Sequence, residues 1–203
     1  MDKKQVKQAL KFIKKNKIIR TSEFEGAGFS RVYLRRLLDE GVISKISRGV
    51  YKMSDFSPSE FYSFAEASKK VPNGVICLLS SLNFFNLTNE FPFEVWIAIK
   101  AKAWKPVKCE IPIRFIRYSK SSFNEGIEIH NIDGIEVKIF SPAKTVADCF
   151  KFRHRIGLDV AISALYECRK QNKASIDQIW YYANKCRITN VIRPYLESLN
   201  EFS

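Results

Sequence analysis

Residues 30–36 read Ser-Arg-Val-Tyr-Leu-Arg-Arg, and arginine is the side chain that pairs bidentately with guanine or grips a phosphate. Leu34, Leu37 and Leu38 mark an apolar stripe at helical spacing. Ser30, Arg31, Tyr33, Arg35 and Arg36 fall outside that stripe, so a helix over this stretch is expected to turn three guanidiniums, a hydroxyl and a phenol outward. Lys45 and Arg48 follow in a short strand–turn–strand pattern, where they are placed to touch flanking backbone or a minor groove. These seven residues are the candidate DNA-binding set.

Other chemistry finds little support. The chain has two histidines, His130 and His154, too few for a His-rich metal cluster and few for a catalytic triad. It lacks a phosphate-cradling glycine-rich loop and a nucleophile-elbow sequence. The five cysteines (Cys77, Cys109, Cys149, Cys168, Cys186) are odd in number, widely spaced and without a Cys-x-x-Cys pair, which fits buried free thiols in a reducing cytosol. Cys149 falls on the inward side of its helix, a poor position for a nucleophile. Asp133, Glu136 and Lys138 have the residue types of a metal-dependent nuclease, in which carboxylates hold Mg²⁺ and a lysine helps polarise water. Asp133 belongs to a turn, however, and the spacing is short for that chemistry. No catalytic residue, metal or cofactor is expected, and the chain reads as a non-enzyme.

The elements that must position the basic residues follow from pattern and punctuation. Residues 3–15 form a helix with Val6, Ala9, Leu10 and Ile13 on one stripe, and Ile18 and Ile19 an extended piece. Thr21 caps a short helix over 22–25 that Gly26 and Gly28 end; Ser30 caps the next, running to about Glu40 and stopped by Gly41. Phe29 stands where it can staple back onto that helix. Val42, Ile43 and Ile46, then Val50 and Tyr51, flank a turn at Ser47-Arg48-Gly49. Helix, short helix, turn, helix and hairpin are the parts of a winged helix-turn-helix.

A polar stretch over 54–59 with Pro58 places a boundary after residue 56, giving a winged helix-turn-helix over 1–56 and a second domain over 57–203. That second domain reads as α+β. Helices are expected over 60–70, 78–85, 142–150, 159–170, 176–184 and 194–199, with Ser141 and Pro142 as cap and first residue of the third. Strands are expected over 75–77, 94–99 and 113–118, and a hairpin over 127–140. A two-residue turn at Asp133-Gly134 would set Ile129 opposite Lys138. A three-residue loop from Ile132 pairs Ile129 with Val137 and keeps one face apolar, so that register is expected.

Charge points the same way as the helix order. The first 56 residues hold 14 Lys/Arg against 6 Asp/Glu, whereas the remaining 147 hold 20 against 15, so most of the +13 net charge sits in the first quarter. A polyanionic partner, double-stranded DNA first, suits that concentration. A hydrophobic fraction of 46% is enough to fill cores and argues against wholesale disorder. No run approaches the length of a signal peptide or membrane span, so a soluble, cytoplasmic protein is expected.

Taken together, these stretches resemble the AbiEi-type family of antitoxins and transcriptional regulators from abortive-infection toxin–antitoxin systems. The similarity rests on Gly28-Phe29-Ser30-Arg31 through Gly41 and on Ser47-Arg48-Gly49-Val50-Tyr51. In the second domain it rests on the stretches 75–82, 94–99 and 141–150 and on Ile192-Arg193-Pro194-Tyr195. The resemblance implies a winged helix that represses its own promoter, bound at repeats in the operator, and a C-terminal domain that opposes a nucleotidyltransferase-type toxin encoded nearby. Regulators without a toxin also fall in the family. Within 141–150, Val146, Ala147 and Phe150 make an inward stripe, leaving Lys144 and Asp148 four apart on an outer face. There they are expected to form a weak helical ion pair or to touch a partner.

Overall fold

The computed structural model describes residues 3–57, 59–103, 105 and 111–200. Cys109 and Pro58, both used above, lie outside them. Two compact units are present: Met1–Pro72 with His130–Val137, and Asn73–Lys105, Pro112–Ile129 and Lys138–Ser203 making up the second.

The first unit opens with α1 (Lys3–Asn16), β1 (Ile18–Arg20), α2 (Thr21–Gly26) and α3 (Arg31–Asp39). The hairpin β2 (Ile43–Ser47) and β3 (Val50–Met53) follows, then α4 (Tyr62–Lys70). Its sheet has the order β1-β3-β2, antiparallel throughout, with β3 pairing Ile19 to Tyr51 on one side and Lys45 to Tyr51 on the other. The wing therefore has a third strand, supplied by the piece between α1 and α2. The core is Ala9 and Ile13 of α1, Ile19, Phe24 of α2, Leu34 and Leu37 of α3, and Ile43 and Met53 of the hairpin. Full burial of an Ile or Leu side chain stabilises by about 1.5–3 kcal/mol. Phe29 stacks on Phe24 at 5.0 Å and Phe12 at 5.6 Å between ring centres, bracing the turn between the two motif helices.

The boundary expected after residue 56 falls inside this unit. Helix α4 packs against β1, and its Lys69 Nζ lies 2.6 Å from both carboxylate oxygens of Glu23 on α2. The hairpin tip joins too: Asp133 accepts from the Ser59 amide at 3.1 Å and its hydroxyl at 2.8 Å, and lies 3.8 Å from Lys17. A polar stretch thus marks a loop here and not a domain edge.

The second unit is α+β. Strands β4 (Val75–Ile76), β5 (Val95–Lys100), β6 (Ile113–Tyr118), β7 (Ile127–Ile132) and β8 (Ile135–Phe140) form a sheet in the order β6-β5-β4-β8-β7. The last two run on into the first unit at their turn. β4 is antiparallel to β5 and parallel to β8, and β5 is parallel to β6. Helices α5 (Leu78–Phe84), α7 (Pro142–Lys151), α9 (Leu158–Lys170), α10 (Ile176–Cys186) and α11 (Thr189–Asn200) surround a shared core, with α6 (Lys120–Phe123) and α8 (Arg153–Ile156) as single turns. α11 begins five residues before Pro194, which sits inside it. Burial of Ile192 and Leu196 on either side offsets what a mid-helix proline costs.

The β7–β8 turn holds two residues. Asp133 and Gly134 have φ of +53° and +83°, the pair of positive angles that a type I′ turn requires and that matches strand twist. The three-residue loop and its apolar face are therefore overturned, and Ile129 is left 63% exposed.

Candidate nucleic-acid interface

Helix α3 is set in place by its first residue. Ser30 is its N-cap, with extended backbone and its hydroxyl accepting from the Val32 amide at 3.4 Å. Tyr33, Leu34 and Leu37 are buried, which leaves Arg31, Val32, Arg35 and Arg36 exposed along one flank. The wing turn is tied to the start of α2: the Thr21 amide donates to the Gly49 carbonyl at 2.9 Å. Gly49 has a φ of +76°, a conformation only glycine adopts without strain. These fixings bring α3 and the wing to the two sides of a groove of about 530 Å³, with Arg31, Arg35, Lys45 and Arg48 on its walls and Val32 and Leu38 between them.

The cations are not equivalent. Arg31 holds Glu25 through two bonds, of 2.5 and 2.8 Å. That pairing keeps the Glu25 carboxyl below the usual carboxylate range and raises the guanidinium in turn. Arg36 lies 2.6 Å from Glu40, one turn along the helix. Arg35, Lys45 and Arg48 have no carboxylate within ion-pair distance among the described residues, so the groove's uncompensated charge is theirs.

One of the seven expected residues is turned the other way. Tyr33 is 8% exposed, and its hydroxyl donates to Gln5 of α1 at 2.5 Å. It stands four residues before Leu37 and so shares the leucine stripe, where it serves the helix pair. Val32, 59% exposed, takes its place on the outer flank. An apolar side chain there can meet a thymine methyl. Spacing alone carried the signal, because Val32 lies one turn from Arg35 and Arg36; its residue type hid it.

Lys144 and Asp148 also depart from expectation. α7 is buried along Pro142–Phe150, packed by α5, α9, α10 and α11. Lys144 and Asp148 are 1% and 0% exposed and 2.5 Å apart, so neither is offered to a partner. The ammonium also lies 3.3 Å from the Ser122 hydroxyl and over the rings of Phe140 and Tyr118, at 4.8 and 5.1 Å. Asp148 accepts from the Cys186 thiol at 3.3 Å. Burial, then the Asp148 charge, push the thiols of Cys77 and Cys149 and the Tyr118 phenol up. Nearby, Ser81 is 2.7 Å from Thr145 and donates to the Phe140 carbonyl at 2.9 Å, while Ser80 accepts from the Trp96 amide at 2.9 Å. The three motif stretches 75–82, 94–99 and 141–150 thus meet as one polar seam inside an apolar core.

The residue types of a nuclease do not converge. Asp133 is held by Ser59 and Lys17 at the turn, and Glu136 and Lys138 are exposed on β8. Among the described residues, no three of His, Cys, Asp and Glu are grouped to hold a metal ion, and no helix is long and apolar enough to cross a membrane.

Residues 7–52, from α1 into β3, match the model of a family described as transcriptional regulator, AbiEi antitoxin. Over that stretch the chain is similar to the AbiEi-type transcriptional regulators. The match takes in every element that builds the groove, and stops before α4 and before the whole of the second unit. Comparison with curated proteins gives no match.

Proposed function

We propose that the chain is a DNA-binding transcriptional regulator that represses the promoter of its own operon through the α3–wing groove, and that it acts as the antitoxin of that operon. The observation that carries the DNA reading is the convergence of Arg35, Lys45 and Arg48 on one groove, each without a carboxylate partner among the described residues, beside an exposed Val32. In a winged helix-turn-helix the second motif helix enters the major groove, led by its N-terminal residues. Arg35 and Arg36 are then the base or phosphate contacts, and Lys45 and Arg48 grip the flanking strand. The antitoxin half is supported by the matched family's description and by the resemblance of the second domain to the same family. Its proposed opponent is a nucleotidyltransferase-type toxin encoded nearby.

Gel-shift titration of the full chain on its own upstream DNA tests the first half. Arg35→Ala with Arg36→Ala should weaken binding by roughly 1–3 kcal/mol for each bidentate arginine–guanine pair removed. Affinity should fall steeply with salt as counterions are released. Unchanged affinity in the double variant would remove α3 from the interface. The same variant tests the second half: it should lose promoter repression yet still rescue cells that express the neighbouring toxin gene. Loss of both together would show that the two activities share one surface.

A further inference from the structure

A second cleft, of about 360 Å³, adjoins the recognition groove and shares Arg31, Arg48, Thr21 and Gly49 with it. Its other walls come from elements that the winged-helix reading does not use. Arg20 enters from the end of β1, Ser22 from α2, and Lys69 and Lys70 from the last turn of α4. Five cationic side chains, from β1, α3, the wing turn and α4, therefore face one small space. All five belong to the first unit.

The carboxylates nearby do not cancel that charge. Glu23 is taken up by Lys69 at 2.6 Å and by the Arg20 amide at 2.9 Å, and Glu25 by Arg31 at 2.5 Å. Arg20, Arg48 and Lys70 have no carboxylate within ion-pair distance among the described residues. Arg20 is partly buried, and burial lowers its pKa while Glu23 raises it. An arginine so placed stays charged and loses little freedom on meeting an anion. The Lys69–Glu23 clasp fixes the end of α4 against α2, which holds its neighbour Lys70 at the cleft instead of leaving it on a free helix end. A compact, strongly basic cleft with hydroxyls of Thr21 and Ser22 at its edge suits a phosphodiester, a tetrahedral anion with oxygen acceptors and no face to read.

We propose that this cleft is a second DNA-contact site, in which Lys70 and Arg20 hold a backbone phosphate of the same duplex whose bases meet α3, with Arg48 bridging the two clefts. The inference rests on the DNA-binding reading above and deepens it: α4, beyond the family-matched residues, becomes part of the interface. Phosphate contacts set register and affinity but carry no sequence information, so the two clefts have separable signatures.

The experiment is a salt titration of the full chain on two duplexes of equal length, its own upstream DNA and an unrelated sequence. Lys70→Ala should weaken binding to both by the same factor. It should also flatten the plot of log affinity against log salt by about 0.9, the slope of one phosphate contact. Lys70→Arg should restore both, and Lys70→Glu should weaken binding further, with thermal melting unchanged in all three. Arg35→Ala with Arg36→Ala, run alongside, should instead reduce the preference for upstream DNA. If that double variant behaves so while Lys70→Ala and Lys70→Glu leave affinity and slope untouched, the second cleft is refuted and the DNA reading stands. If the unaltered chain binds neither duplex, both readings fall. A Lys70→Ala effect confined to one duplex would mean base reading and overturn the phosphate assignment. Inorganic phosphate bound by the free protein, with the slope unchanged in Lys70→Ala, would make the cleft a small-anion site and overturn the duplex assignment.

Discussion

Two ion pairs in this chain share a spacing and nearly a length. Arg36 and Glu40 are four apart at α3 and 2.6 Å from each other; Lys144 and Asp148 are four apart on α7 and 2.5 Å from each other. The first pair is 48% and 43% exposed, the second 1% and 0%. In water the first is worth a few tenths of a kcal/mol and exchanges readily with solvent or a ligand. The second has given up its hydration, and what replaces it is a fixed set of partners: Ser122, Cys186 and two aromatic rings. Sequence spacing describes both equally well. What separates a labile surface charge from a structural one is how the helix is enclosed, and α7 has α5, α9, α10 and α11 packed around it.

The largest expected effect bears on the buried pair. Lys144→Ala or Asp148→Ala should each lower unfolding stability by about 3–5 kcal/mol in denaturant titration, since either leaves an uncompensated buried charge. Lys144→Met with Asp148→Leu should recover most of that stability, because two charges are then removed together. A single variant costing no more than a surface pair would erase the contrast between the two helices.

A smaller effect concerns the thiols of the same unit. All four described cysteines are buried, so in the folded chain these four should resist alkylation that they undergo at once in the unfolded chain. Burial raises the Cys168 thiol from 9.0 to about 11. Between those values the unfolded chain sheds its thiol proton first and is favoured. The contribution of Cys168 is thus fully present below about pH 9 and is lost as pH rises toward 11. Denaturant midpoints measured across that window should fall, and less steeply in Cys168→Ala. A flat profile would place Cys168 in water.

The smallest effect lies on the exposed pair. Glu40→Gln removes a negative charge beside the groove and releases Arg36, so affinity for duplex DNA should rise about 2- to 5-fold, the size of one surface ion pair. Stability should change little. A decrease in affinity would mean that Glu40 positions Arg36 for DNA, and the surface pair would then be as structural as the buried one.

What was legible in the sequence was local. Ser30 and Ser141 cap their helices as their types and spacing indicate, and Gly41 follows α3 with a φ of +69°. Such features depend on a few neighbouring backbone groups, which a sequence displays. The helix-turn-helix order and the α+β second unit followed from periodicity for the same reason. The misses depend on what lies across space. The chemistry of Tyr33 groups it with the arginines although its period belongs to the leucines, and α1 supplies the Gln5 that satisfies its hydroxyl. The turn Asp133-Gly134 obeyed its own backbone preference, at the expense of leaving Ile129 in water. Lys144 and Asp148 looked like a solvated edge because nothing in residues 141–150 announces that Cys186 and Ser122 close over them. In the sequence a polar loop separates α4 from the winged helix, which conceals Lys69 and Lys70 from any set of basic residues near the groove.

His130–Val137 belong to the first unit, and that shapes how the chain is made. Synthesis runs from the N-terminus, and domains generally fold as they are completed. Here the first unit waits for its last segment, which is added roughly 65 residues after Pro72, or about 3–13 s at common elongation rates of 5–20 residues per second. During that interval the Ser59 amide and hydroxyl, and Lys17, lack the Asp133 carboxylate that holds them in the finished protein. A ribosome that stalls or a message cut between those points yields residues up to Pro72 without the segment His130–Val137 that completes their unit.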